Sequence, residues 1–181
     1  MTYGEALQGW RDFYVTAGAA AATLVGLLFV GLSLHIKVVV SRPDVRSLAR
    51  VTLADFFVVL LVALVVLAPA TDPWATGAWL VGVSAVSLGL VVRPAVQALG
   101  MRRTRTIGRW VLLSRFGLSA LCYLGVGLTG VLLGRHDFDT GLSGLLIVVI
   151  LLLAVSIRNT WDLLITVADS LDAGGTRHSR S

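Results

Sequence analysis

FYVTAGAAAATLVGLLFVGLSL, residues 13–34, runs for 22 residues without a charge. The hydrocarbon core of a bilayer is about 30 Å thick, and a helix rising about 1.5 Å per residue crosses it in about 20 residues. The run is long enough to span, and in lipid a lone segment satisfies its backbone N–H and C=O groups only as a helix. Four further apolar runs follow, over residues 51–70, 74–92, 111–134 and 141–157. The expectation is an all-α, polytopic transmembrane helical bundle of about five spans.

Composition agrees with the runs. Of 181 residues, 56% are hydrophobic and 14% charged, against about 45–50% and about 25% in soluble domains. Five spans leave only short loops, so residues 1–170 are expected to form a single transmembrane domain. Residues 171–181, rich in Gly, Ser and Arg, are expected to be a disordered tail. Glu5, Arg11 and Asp12 stand where a signal peptide would have a basic region, so the first span is expected to remain uncleaved.

Orientation follows from Lys and Arg. Thirteen of the 15 lie in the loop after the first span, the loop after the third and the C-terminal region, against Arg11 and Arg135 in the alternate segments. The basic side is expected in the cytoplasm, which puts the N-terminus outside, the C-terminus in the cytoplasm and the chain in the cell membrane. Trp10, Tyr14, Trp74, Trp79, Trp110 and Trp161 fall near span ends, where amphipathic rings favour the head-group region.

Three helix faces carry readable patterns. Gly18, Ala22 and Gly26 recur every four residues on the first helix, and small side chains let backbones approach closely in lipid. This face is expected to pack within the chain or in a dimer, and a Leu at Gly26 is expected to disturb it. Ala78, Gly82, Ala85 and Gly89 repeat the device on the third helix. On the fourth, Arg115, Ser119, Tyr123, Gly127, Gly130 and Gly134 align as the most polar stripe of the chain, expected to face inward as a helix seam or as the lining of a narrow path.

Ionisable groups within spans point to function, because each is costly in hydrocarbon. His35, Asp55, Arg93, Arg115, Arg158 and Asp162 are expected at one depth near the cytoplasmic ends of the helices. Asp55, about one turn inside its helix, calls for a cation, which Arg93 or Arg115 would supply. Arg158 and Asp162 are spaced to pair on one helix face. The layer reads as snorkelling arginines with a structural ion pair, or as a gate or site for an anionic group.

The loop MRRTRTIGRW, residues 101–110, puts Arg102, Arg103, Arg105 and Arg109 beside the membrane. They would bind anionic lipid, at about 1 kcal/mol each near the surface, and also set topology. Membrane lipids, a second copy or another membrane protein are the expected partners, and nucleic acid is not.

Catalytic apparatus is not expected. GLSG at residues 141–144 matches the short nucleophile pattern of rhomboid-type intramembrane proteases, but only His136, in a loop, lies within reach as a base. His136, Asp137 and Asp139 read as a hydrated turn before they read as a metal site. Neither HExxH, CxxC nor a phosphate-binding glycine loop is present. No metal or cofactor is expected, and the single Cys122, inside an apolar run, reads as a buried thiol.

GAAAATLVGLLFVGLSLH, residues 18–35, and RNTWDLLITV, residues 158–167, resemble the two recurring ends of a group of small, uncharacterised bacterial multi-spanning membrane proteins. The resemblance implies a bacterial plasma-membrane location and carries no activity. Two functions stay open: a non-enzymatic structural or accessory component, and a small channel or transporter using the fourth-helix stripe.

Overall fold

A computed structural model describes residues 3–41, 43–68, 72–100 and 106–178; within those ranges some side chains, including those of Arg93, Arg109 and Arg115, lie outside the description. The chain forms α1 (Tyr3–Leu34), α2 (Ile36–Ser41), α3 (Pro43–Leu67), α4 (Pro73–Gly100), α5 (Thr106–Gly134) and α6 (Phe138–His178). Five of the six are long and apolar enough to cross a membrane, over Leu7–Leu34, Val45–Leu67, Pro73–Val92, Gly117–Gly134 and Phe138–Thr166. The described residues contain no strand.

The helices run up and down. One end of the bundle holds the α3–α4 and α5–α6 turns and is here called the turn end; the other exposes Lys37, Arg46, Arg50 and Arg158 and is called the basic end. Helices α3, α4, α5 and α6 form a ring in which each packs on the next and α6 closes on α3, while α1 lies outside against α3 and α6. Across the ring, α3 and α5 have little backbone contact, so only long side chains bridge the middle.

Several boundaries differ from expectation. The expected loop through Arg46 and Arg50 is helix: Pro43 opens α3, where its missing N–H is no loss, and Arg46 and Arg50 sit exposed, about a quarter turn around the helix from buried Val45 and Ala49. Helix α4 continues through Pro94 to Gly100, with one intrahelical bond fewer for want of the proline N–H. Helix α6 reaches His178, so residues 171–178, expected as disordered tail, are helical.

The α5–α6 turn is built from its caps. His136 has a φ of 64°. Its N–H donates to the Leu133 carbonyl at 3.0 Å and the Asp137 N–H to that of Leu132 at 3.2 Å. These two bonds close a Schellman motif around a left-handed residue, a place glycine usually fills. The Asp137 carbonyl then accepts from Gly141 N–H at 3.0 Å to start α6; His136 and Asp137 are exposed in the turn and Asp139 is exposed in the first turn of α6. Among the described residues no three of His, Cys, Asp and Glu converge to hold a metal.

Glycines set the closest approaches at the turn end. A Cβ on Gly77 would run into the Gly130 carbonyl oxygen, and one on Gly130 would lie 2.8 Å from the Gly77 oxygen and 2.9 Å from Leu80 Cβ. The GLSG glycines also let neighbours come close, since a Cβ on Gly141 would meet Leu133 at 2.9 Å and one on Gly144 would meet Thr129 at 3.0 Å.

As a face packing within the chain, the first-helix series needs correction. Gly18 is buried, with Ala63 2.9 Å from where its Cβ would be, but Ala22 and Gly26 are exposed and nothing lies within 4 Å of a Cβ on Gly26. Residues four apart advance about 40° past a full turn of a 3.6-residue helix, so Gly26 has rotated about 80° away from Gly18. The face that packs on α3 and α6 is instead Tyr14, Ala17, Gly18, Ala21 and Leu28. Tyr14 also leaves the expected interfacial belt: it is fully buried, its hydroxyl donating to the Leu142 carbonyl at 3.2 Å. Trp74, Trp79 and Trp161 are exposed, Trp10 is half-buried, and the Trp110 side chain lies outside the description.

Candidate functional site

Asp55 is 0% exposed, held in the middle of the ring. On α3 it follows buried Thr52, whose hydroxyl is engaged by the Leu48 carbonyl at 2.9 Å. From the opposite side of the ring, α5 presents Ser119 and Tyr123, four residues apart and so on one face. Ser119 Oγ donates to Asp55 Oδ2 at 2.9 Å and Tyr123 Oη to Asp55 Oδ1 at 2.5 Å. Each carboxyl oxygen therefore has its own hydroxyl donor. The tyrosine bond is as short as charge-assisted O–H···O bonds become.

The network extends to a third helix. Ser84 Oγ on α4 donates to the Tyr123 carbonyl at 2.7 Å, and the same oxygen lies 2.8 Å from where a Cβ on Gly127 would be. A side chain at Gly127 would push Ser84 off that carbonyl. Thus α3, α5 and α4 are tied at one level by two side chain–side chain bonds and one to the backbone.

Depth follows from two contacts that level the helices: Tyr14 with Leu142, and Gly18 with Ala63. At about 1.5 Å per residue, Asp55 lies about 18 Å from the Tyr14–Leu142 level toward the basic end. His35 and Asp162 lie about 12 Å further on, and Arg158 about 6 Å further. The expected single layer is therefore spread over about two turns of helix.

Its members are also in different surroundings. His35 is half-buried at the break between α1 and α2, with Nδ1 3.2 Å from the Gly31 carbonyl; a carbonyl only accepts, so Nδ1 carries the proton. Arg158 is exposed and Asp162 half-buried. The side chains of Arg93 and Arg115, proposed cations for Asp55, lie outside the description, as do Arg102, Arg103 and Arg105 and the side chain of Arg109. Among the described residues the donors to Asp55 are hydroxyls.

Four residues of the fourth-helix stripe, Ser119, Tyr123, Gly127 and Gly130, face inward in two different halves; a Cβ on Gly134 would meet nothing within 4 Å, and the Arg115 side chain lies outside the description. Ser119 and Tyr123 bind Asp55, whereas Gly127 and Gly130 are closed against Ser84, Gly77 and Leu80. Beyond Tyr123 toward the turn end the ring is filled by Leu80, Val126, Leu133, Leu142 and Leu145, all fully buried. Cys122 is a free, buried thiol.

Two participants were not anticipated. Ser84 lies among the small residues of α4 and nothing in its spacing marks it as a donor to another helix. Asn159 on α6 is 2% exposed, and its Nδ2 has no acceptor among the described residues. It shares the inner stripe of α6 with Leu152, Ser156 and Leu163, and a count of apolar period on that helix would have placed a polar side chain inside. No family model, curated protein or solved structure matches the chain.

Proposed function

We propose that the chain is a multi-pass protein of the cell membrane, N-terminus outside and C-terminus in the cytoplasm, acting as a non-enzymatic structural or accessory component. The exposed cations at the basic end support this orientation, because cytoplasmic segments carry the excess of Lys and Arg. A cysteine placed at Asp72 or Asp137 in a Cys122→Ser background should label from outside intact cells, and one at Thr104 should not. The reverse pattern would overturn the orientation.

The observation that carries the structural role is the closure around Asp55. Its two oxygens are engaged by Ser119 and Tyr123, and the ring beyond Tyr123 is packed with aliphatic side chains. An acid enclosed in this way fixes the register of α3 against α5, and the described side chains between it and the turn end are mostly aliphatic. The pure protein in liposomes should conduct ions and small solutes no faster than empty liposomes.

A second reading, a small channel or transporter, is favoured by the buried acid itself and by the Asn159 amide on the basic side of it, unpartnered among the described residues. Flux above the empty-liposome rate that disappears in Asp55→Asn would establish this reading and displace the first.

A further inference from the structure

A cavity of about 500 Å³ lies at the basic end, between α1, α2, α3 and α6. Leu28, Gly31, Phe56 and Leu163 form its floor, and Leu27 and Leu164, both exposed on the outside of the bundle, stand at its edge. It therefore opens sideways between α1 and α6, toward the surface that the membrane reading assigns to lipid. Its volume falls within the range of small-molecule sites, about 300–1,000 Å³.

Among the described residues only two polar side chains line it, and each has one atom engaged internally. His35 Nδ1 donates to the Gly31 carbonyl, and Thr160 Oγ1 donates to the Ser156 carbonyl at 2.8 Å. A water needs two to four polar partners, so a wall of this kind is dry. Such a wall suits hydrocarbon, and at that depth a bilayer supplies acyl chains. His35 lies at the end of the cavity nearest the membrane surface. Lys37, Arg46, Arg50 and Arg158 are exposed at the same end of the bundle, where cations attract anionic head groups.

We propose that this cavity is a binding site for one membrane phospholipid, an acyl chain lying against Leu28, Phe56 and Leu163 and the phosphate held among the cations of the basic end. The inference rests on the membrane reading but not on the choice between scaffold and channel, since lipid retention and solute flux are measured independently. A failed topology test with lipid still retained would leave this site standing.

The cavity can be filled from within. A Cβ on Gly31 meets nothing within 4 Å, so Gly31→Phe should place its ring in the cavity without disturbing the helix. Gly26→Phe makes the same change one and a half turns away on an exposed face, where there is also open space. The full chain is purified in mild detergent, incubated with phosphatidylglycerol and examined by native mass spectrometry. Wild type and Gly26→Phe should each retain a single lipid per chain, and Gly31→Phe should retain at least tenfold less at an unchanged melting temperature. If Gly31→Phe does not fold, Gly31→Leu takes its place. Diacylglycerol, with the same chains and no phosphate, should be retained severalfold less. Wild type without retained lipid, a Gly31 variant that keeps it, equal retention of diacylglycerol, or a second copy of the chain in place of lipid would overturn the proposal.

Discussion

The two halves of the bundle are built on different principles. From the turns down to Tyr123, contact is direct: Gly77 meets Gly130, Gly141 meets Leu133, and one continuous aliphatic core runs from Tyr14 to Leu152. Below Asp55 a second, smaller core of Leu28, Val39, Val45, Ala49, Phe56 and Leu163 surrounds a cavity, α1 breaks at His35, and Asn159 is buried with a donor that no described residue accepts. Asp55 sits at the boundary. Lipid offers helices no hydrophobic drive to associate, so they bind through close packing and internal polar bonds. The turn half uses the first of these devices, the boundary uses the second, and the basic half leaves space that another molecule can occupy.

The contrast breaks most visibly at glycine. Gly130→Leu should abolish folding, because its side chain has to enter backbone and Leu80 on α4, and overpacking already costs about 1–3 kcal/mol where only side chains must move. Gly26→Ala should be neutral or stabilise by up to about 1 kcal/mol, since it relieves the helix penalty of glycine into open space. Melting temperatures in detergent compare the two; equal losses would erase the distinction between packed and open faces. Next in size is Asp55→Ala, which strands two hydroxyls at about 1–3 kcal/mol for each group left unsatisfied. Ser119 can turn back to the carbonyl one turn earlier on its own helix; Tyr123 cannot, so most of the loss should fall on the tyrosine.

Smaller effects sharpen the turn half. Tyr14→Phe removes the bond to the Leu142 carbonyl and should cost at least about 0.5–1.5 kcal/mol. A melting temperature equal to wild type would show that the α1–α6 contact rests on packing alone. His136→Gly keeps the Schellman bonds and removes a side chain from a left-handed backbone, which disfavours L-residues by about 1–2 kcal/mol. It should raise stability slightly; a lower melting temperature would mean that the edge-on contact of the imidazole with Phe138 outweighs the strain.

Much of the fold was legible because hydropathy alone separates five spans, and Asp55 drew attention because it interrupts one. Three features were hidden for physical reasons. Arg46 and Arg50 read as loop by charge, yet with Val45 and Ala49 buried beside them they follow a helical period, exposed on one side and apolar on the other. The Gly18, Ala22, Gly26 series read as one face because a four-residue repeat hides its own rotation around the helix. The hydroxyl partners of Asp55 went unread because charge suggests countercharge, and the side chains of Arg93 and Arg115 lie outside the description. Ser119 and Tyr123 were already on the inward stripe, but which helix that stripe faces depends on the ring, and the ring is set by tertiary packing that spacing along one helix does not encode.

The central claim is that the Asp55 carboxyl and the α5 hydroxyls act as one joint across the ring. A double-mutant cycle with Asp55→Ala and Tyr123→Phe, read as unfolding free energy in detergent, tests it directly. Residues within one buried network couple by about 0.5–3 kcal/mol. The account predicts that Tyr123→Phe destabilises wild type but costs little once Asp55 is gone, giving coupling in that range. Additivity of the two substitutions within about 0.3–0.5 kcal/mol would contradict it.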